Sequence, residues 1–129
     1  MILSIGAILG FISVIFGAFA EHGLKANISD EHFRFLMTAI RYNQIHAVMI
    51  ASIGLAFLSN SKLAEITLLK LSAMLFIIGT ILFSFSIYLS VTFQIESLIF
   101  FTPFGGMTIM LAWILLCTAS IKIRTNHHT

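Results

Sequence analysis

Four apolar runs, each long enough to cross a lipid bilayer as a helix, take up most of this chain. They occupy residues 2–20, 36–58, 71–93 and 99–121. The hydrocarbon core of a bilayer requires about 20 apolar residues of α-helix, and in lipid the backbone must satisfy its own hydrogen bonds. The pattern therefore predicts an all-α membrane protein, a compact bundle of four transmembrane helices joined by short loops.

The composition supports this class and limits the partners of the chain. Of the 129 residues, 59% are hydrophobic and 9% are charged, whereas a soluble domain has about 25% charged residues. The four runs and their connections use the whole length, so we expect a single domain over residues 1–129. Seven basic residues against five acidic ones do not indicate nucleic-acid binding. The lipid bilayer is the expected partner, and the single cysteine, Cys117, excludes an intramolecular disulfide.

An even number of spans places both termini on one side of the membrane. The middle connection and the tail on that side carry four basic residues: Lys62, Lys70, Lys122 and Arg124. The other side carries Lys25 and Arg34, with Arg41 near the span boundary. Because cytoplasmic loops are enriched in Lys and Arg, this difference predicts cytoplasmic termini. The adjacent His127 and His128 are expected to form a solvated end.

Small residues recur at helical spacing and predict close helix packing. In the first run, Gly6, Gly10, Ser13 and Gly17 follow steps of four, three and four, so they share one helical face. Small residues promote helix association in lipid because they let backbones approach closely. We expect this packing inside the bundle rather than at a dedicated dimer face. The predicted packing residues are Gly6, Gly10, Gly17, Gly79, Gly105, Gly106 and Trp113, whose indole N–H is expected to find a partner.

Polar side chains of the runs gather on the side of the bundle away from the termini. Successive helices run in opposite directions, so the ends of the first and third runs lie beside the starts of the second and fourth. Because polar groups inside a membrane need partners, we expect most of these side chains to point inward, with His22, Glu21 and Arg41 at the rim. The candidates for this polar layer are His22, Tyr42, Asn43, His46, Ser84, Ser86, Tyr88 and Thr102.

The polar layer fits four roles to different degrees. The simplest is an inter-helix hydrogen-bond network that fixes the packing and presents a surface to a partner. His22 and His46 are weak candidates for a metal or haem site, because no His-x-x-x-His or cysteine pair accompanies them. A serine nucleophile activated by His46 has no marker in the sequence beyond the residue types. A proton or small-solute path through His46, Tyr42 and Glu21 would cross only half of the bundle, because the other half lacks polar residues.

Four motifs, in order, resemble those of a known family. "GAFAEHGL", "RYNQIHA", "FSFSIY" and "TPFGG", followed by Trp113, resemble the motifs of the YgdD-like small integral membrane proteins. That family is a bacterial domain-of-unknown-function family, number 423, with a mitochondrial relative in animals. The resemblance covers about residues 3–122 and implies four transmembrane helices in the bacterial inner membrane, without an established activity. The positions that depart from the family pattern are Glu21, Asn43, Phe85 and Ala112.

These observations lead to one expected function and one alternative. We expect a non-enzymatic integral membrane protein that acts through helix packing, either with itself as a homo-oligomer or with a larger membrane complex. No cofactor is predicted. The alternative is a small-solute or proton transporter, or a metal-, haem- or quinone-binding membrane protein, that uses the polar layer around His22 and His46.

Overall fold

The computed structural model describes residues 1–126 as a bundle of four long helices. They are α1 (Ile2–Leu24), α2 (Asp30–Ser59), α3 (Thr67–Phe93) and α4 (Thr102–Asn126). A single helical turn at Ser61–Ala64 joins α2 to α3, and 3₁₀ turns over Glu96–Phe101 lead into α4. No strand occurs within these residues, and all four helical segments are long and apolar enough to cross a membrane. The predicted all-α bundle of four transmembrane helices is confirmed; His127 and His128 lie outside the described residues.

Local signals at the helix ends produce two antiparallel hairpins. Ser29 accepts a hydrogen bond from the backbone N–H of His32 at 3.2 Å, which caps the start of α2. Gln94 has a φ of 57° and ends α3 in the left-handed conformation. The short turns that follow α1 and α3 lie at one end of the bundle, called here the loop end. The termini and the α2–α3 connection lie at the other, the terminal end.

Two glycines set the distance between α1 and α2. A Cβ atom on Gly6 would lie 2.6 Å from the backbone nitrogen of Ala51, and one on Gly54 would lie 2.6 Å from the Cα of Leu3. The two backbones are therefore in direct contact at the terminal end, and a side chain at either glycine would push them apart. Gly54 was not among the predicted packing residues.

The α3–α4 hairpin is built in the same way. A Cβ atom on Gly79 would lie 2.7 Å from Cγ1 of Ile109, and one on Gly105 would lie 2.7 Å from the Cα of Phe83. The other predicted packing glycines have more room, with nearest atoms at 3.7 to 4.0 Å. These are Gly10, Gly17 and Gly106.

Two π-helical turns interrupt the otherwise regular helices. One covers Ala20–Leu24 at the end of α1, and the other covers Ile81–Phe85 within α3. The first lies inside the motif "GAFAEHGL", and the second overlaps the start of "FSFSIY". A π turn widens the helix by one residue and changes the direction of the side chains that follow. In α3, the widened backbone is the surface on which Gly105 packs.

The buried apolar side chains form two clusters, one toward each end of the bundle. The cluster at the terminal end includes Ile50 and Phe76, and the cluster at the loop end includes Leu36 and Val91. Along both α2 and α3, buried polar residues lie between the two clusters. The interior polarity of the bundle is therefore concentrated near the middle of its central helices.

Candidate functional site

The buried polar side chains between the two apolar clusters form a layer across α2 and α3, and all of them except Thr80 were predicted members of the polar layer. All are at most 3% exposed. Two come from α2 and three from α3: Asn43, His46, Thr80, Ser84 and Tyr88.

His46 uses both of its ring nitrogens in hydrogen bonds. Nδ1 lies 2.7 Å from the carbonyl oxygen of Tyr42, and the indole Nε1 of Trp113 donates to Nε2 at 3.2 Å. A carbonyl oxygen can only accept and an indole N–H can only donate. The two bonds together therefore require a neutral imidazole with its proton on Nδ1. The ring also packs beside Phe76, with 5.5 Å between centroids.

Asn43 and Tyr88 connect α2 to α3. The side-chain amide of Asn43 donates from Nδ2 to the phenol oxygen of Tyr88 at 3.1 Å. On its other side the Tyr88 ring stacks on Phe16 of α1, with ring centroids 3.9 Å apart and an interplanar angle of 6°. The amide oxygen of Asn43 is buried and has no hydrogen-bond partner within the described residues. This contact thus ties three helices together and leaves one buried acceptor unpaired.

Two serines of α3 form hydrogen bonds to the neighbouring helices α2 and α4. Ser84 donates to the backbone carbonyl of Ala39 in α2 at 2.8 Å. Ser86 lies 2.9 Å from the carbonyl of Phe83 and 2.7 Å from the hydroxyl of Thr102 at the start of α4. Neither serine bonds to His46, so the structure does not assemble a serine–histidine pair in the described residues.

Other predicted members of the layer lie on the outside. Tyr42 is 39% exposed, and its ring packs beside Phe83 at a centroid distance of 4.7 Å. His22 and Arg41 are exposed. Glu21 forms an ion pair with Lys25, one turn further along, at 3.0 Å. These side chains are consequently separate from the buried hydrogen bonds of the layer.

The ring nitrogens of His22 and His46, the candidate metal ligands, are not brought together in the structure. His22 is exposed in the π turn at the end of α1. The lone pair of His46, on Nε2, already accepts a hydrogen bond from the indole N–H of Trp113. Within residues 1–126, no group of three or more His, Cys, Asp or Glu side chains is placed to hold a metal ion. Any ligand of His46 would first have to displace Trp113.

A groove on the outer face of α1 and α2 is the second notable feature of the bundle. It has a volume of about 340 Å³ and small or apolar walls, and it is called here the α1–α2 groove. Gln44, near the middle of α2, is its most polar residue, and its side chain makes no hydrogen bond within the described part of the chain. The lining residues are Gly6, Ala7, Gly10, Ser13, Val14, Gln44, Ala47, Val48 and Ala51.

Some buried polar residues are not apparent from the sequence. Thr80 is fully buried and its hydroxyl has no partner within residues 1–126. Ser72 donates to the carbonyl of Ala112 at 2.8 Å and links α3 to α4 in the terminal half. A single Ser or Thr in an apolar run carries little information, because its hydroxyl commonly bonds to its own helix.

Comparison with known proteins places these features in a family. The family model described as "Protein of unknown function (DUF423)" matches residues 16–106, a range that contains both π turns and the whole buried polar layer. No solved structure matches the chain.

Several curated bacterial proteins are similar over nearly their whole length. The UPF0382 membrane protein YwdK of Bacillus subtilis is 34% identical over 118 residues, which cover 92% of this chain and 94% of that protein. A UPF0382 membrane protein of Haemophilus influenzae is 32% identical over 124 residues, with 95% of each chain covered. The UPF0382 inner membrane protein YgdD of Escherichia coli K12 is 29% identical over 122 residues, covering 95% of this chain and 90% of that protein.

Proposed function

Since the chain belongs to the DUF423 family of membrane proteins, as its motifs predicted, we propose that it is a non-enzymatic integral membrane protein that acts through helix packing with a second copy of itself. We place it in the bacterial inner membrane with cytoplasmic termini. The name of the Escherichia coli relative supports the inner membrane. The four basic residues of the terminal end support the orientation.

The observation that carries the proposal is the contrast between Gln44 and the paired histidine and serines of the polar layer. His46, Ser84 and Ser86 all have hydrogen-bond partners inside the bundle. Gln44 lies at the same level of α2 but faces outward, and its amide has no partner in the described chain. An unpaired amide at this depth is unfavourable in lipid. A neighbouring helix that packs into the groove would supply the missing hydrogen bonds.

A second copy of the chain is the occupant that best fits this groove. A two-fold interface brings each patch against the same patch of the partner. The side-chain amide is both a donor and an acceptor, so two Gln44 side chains near the axis can pair with each other. The small side chains of Gly10 and Ala47 leave room for the close approach that such a pair requires.

Cysteine cross-linking in native membranes tests this interface. In a Cys117→Ser background, Val48→Cys places a thiol in the α1–α2 groove, and Met110→Cys places one on the outer face of α4. The two native side chains are similarly exposed, at 68% and 60%, so the variants are matched for access. We expect an oxidant or a short bis-maleimide to give a covalent dimer with Val48→Cys and not with Met110→Cys. Equal dimer yields, or none from either variant, would contradict the proposal.

Two further measurements separate the proposal from the alternative function. Adding Gln44→Leu to the Val48→Cys protein is expected to reduce the dimer yield, because the amide pair is lost. An absorption spectrum and a metal assay of the purified protein test cofactor binding. A Soret band or a stoichiometric metal that disappears in His46→Ala would favour the cofactor-binding alternative over packing alone.

A further inference from the structure

A polar cavity at the loop end of the bundle differs in character from the α1–α2 groove. It has a volume of about 400 Å³ and lies between the turn that joins α1 to α2 and the turn that joins α3 to α4. Six of its eight lining residues are polar. The lining residues are Asn27, Ile28, Ser29, His32, Ser90, Val91, Gln94 and Glu96.

Three side chains of this cavity offer hydrogen-bond acceptors that no other group uses in the described chain. Asn27 directs its Nδ2 toward the carbonyl oxygen of Gly23, at 3.5 Å, and so leaves its own carbonyl oxygen free. Ser90 is 4% exposed and lines the cavity, and its hydroxyl makes no hydrogen bond within residues 1–126. Glu96 adds a carboxylate that takes part in no ion pair of the described chain. The cavity therefore presents a deeply buried free hydroxyl, an amide oxygen and a negative charge.

The charges around the cavity favour a cation over an anion. Among residues 1–126, the ionisable side chains in its wall are Glu96 and His32. Lys25, a nearby cation in the α1–α2 turn, is held by Glu21 at 3.0 Å. The C-terminal turn of α3, which contains Ser90, carries the negative end of the helix dipole, while Asp30 and Glu31 offset the positive end of α2.

From this arrangement we infer that the loop-end cavity binds a protonated primary amine. An ammonium group has three N–H donors and no acceptor, which complements the carboxylate of Glu96, the hydroxyl of Ser90 and the amide oxygen of Asn27. The volume of about 400 Å³ accommodates the short carbon chain of such an amine as well as its charged group. A divalent metal fits less well, since the described residues provide no cluster of three ligating side chains. The amine is supplied either by the ethanolamine headgroup of a lipid or by a free amine in solution.

Calorimetric titration of ethanolamine tests the site, with the full-length protein in phosphatidylcholine nanodiscs. We expect saturable binding that weakens about tenfold in Glu96→Gln, because one charge-assisted hydrogen bond is lost. Glu65→Gln, which removes an exposed carboxylate at the terminal end of the bundle, serves as the control and is expected to leave the affinity unchanged. Choline has no N–H donor on its cationic nitrogen, so it is expected to bind more weakly than ethanolamine. Circular dichroism of each variant confirms that the bundle is intact.

The source of the amine is identified by exchanging the lipid. If nanodiscs containing phosphatidylethanolamine suppress ethanolamine binding, and native mass spectrometry finds that lipid retained by the protein but not by Glu96→Gln, the ligand is a lipid headgroup. If ethanolamine binds equally in both lipids, the ligand is a soluble amine. The absence of binding in phosphatidylcholine nanodiscs, equal weakening in Glu65→Gln, or equal affinity for choline would overturn the assignment. None of these results depends on the dimer interface at Gln44.

Discussion

Trp113 of α4 donates its indole N–H to Nε2 of His46 in α2, across 3.2 Å. The backbones of these two helices are hardly in contact, so this hydrogen bond and the aromatic packing around it form the bridge between them. The Trp113 ring also meets the Phe76 ring of α3 edge-on at a centroid distance of 5.0 Å. One aromatic side chain thus links α4 to both central helices.

Removal of the Trp113 donor is expected to destabilise the bundle. Trp113→Phe keeps most of the ring contact with Phe76 but leaves Nε2 of the buried His46 without a partner. We expect the free energy of unfolding to fall by about 1–2 kcal/mol, measured by titration from mild detergent into sodium dodecyl sulfate. Tyr42→Phe is the control, since the exposed Tyr42 hydroxyl has no partner in the described chain. Equal stability of Trp113→Phe and the parent protein would show that the bond contributes nothing.

The two classes of glycine are expected to respond differently to alanine. In Gly54→Ala the new methyl group would collide with the backbone of Leu3, and the rigid main chain cannot move aside locally. We expect a loss of about 1–3 kcal/mol in the same unfolding titration, the usual range for an overpacked interior. Gly10→Ala adds a methyl group 3.7 Å from Ala47, an ordinary contact distance, and is expected to keep the parent stability. A reversed order of the two variants would contradict the hairpin packing.

Asn43 and Tyr88 are expected to be energetically coupled. In a double-mutant cycle of Asn43→Ala and Tyr88→Phe, the second substitution removes a hydroxyl that has lost its partner in the first. We expect the combined loss of stability to be smaller than the sum of the single losses by about 0.6–1.7 kcal/mol, which runs from the average to the largest coupling typical of hydrogen bonds between membrane helices. Strict additivity of the two losses would mean that the pair does not hold α2 to α3.

Glu21 is expected to contribute little, although the sequence sets it beside His22. Its partner in the structure is Lys25 at 3.0 Å, and both side chains are well exposed. Exposed ion pairs of this spacing are worth less than about 0.5 kcal/mol. Glu21→Gln should therefore unfold at the same detergent composition as the parent protein, at both low and high salt. A loss of more than about 1 kcal/mol would exceed the worth of such a surface pair and would point to a role for Glu21 that the pair with Lys25 does not explain.

The sequence was sufficient to predict the four helices and a hydrogen-bond partner for the indole N–H of Trp113. Both predictions follow from the chemistry of a single segment in lipid. The sequence was not sufficient to predict how each helix is rotated about its axis, and therefore which side chains face the interior. Adjacent residues Tyr42 and Asn43 were both expected inside, yet only Asn43 is buried. Neighbouring positions on an α-helix point about 100° apart, so the packing of α2 on α1 and α3 decides which one turns inward.

The π turns are a second feature that could not be predicted from the sequence, and they change the direction of the side chains that follow them. The turn at Ile81–Phe85 shifts the side chains that follow it by about one position. A regular helix drawn through this segment would therefore misdirect the side chains after the turn relative to those before it. No local sequence rule marks such a turn. The loop-end cavity was missed for a similar reason, since Asn27 and Glu96 come from different hairpins and meet only in the folded bundle.

The orientation of the bundle can be tested with reporter fusions. The terminal end carries Lys62, Lys70 and two further basic residues, so we expect it to face the cytoplasm. Green fluorescent protein fused after Thr129 is expected to fluoresce, and alkaline phosphatase at the same position is expected to be inactive. Fusions after Gln94, which leave three helices, are expected to give the opposite pattern and serve as the control. Active phosphatase after Thr129, with inactive phosphatase after Gln94, would reverse the orientation and place the loop-end cavity on the cytoplasmic side.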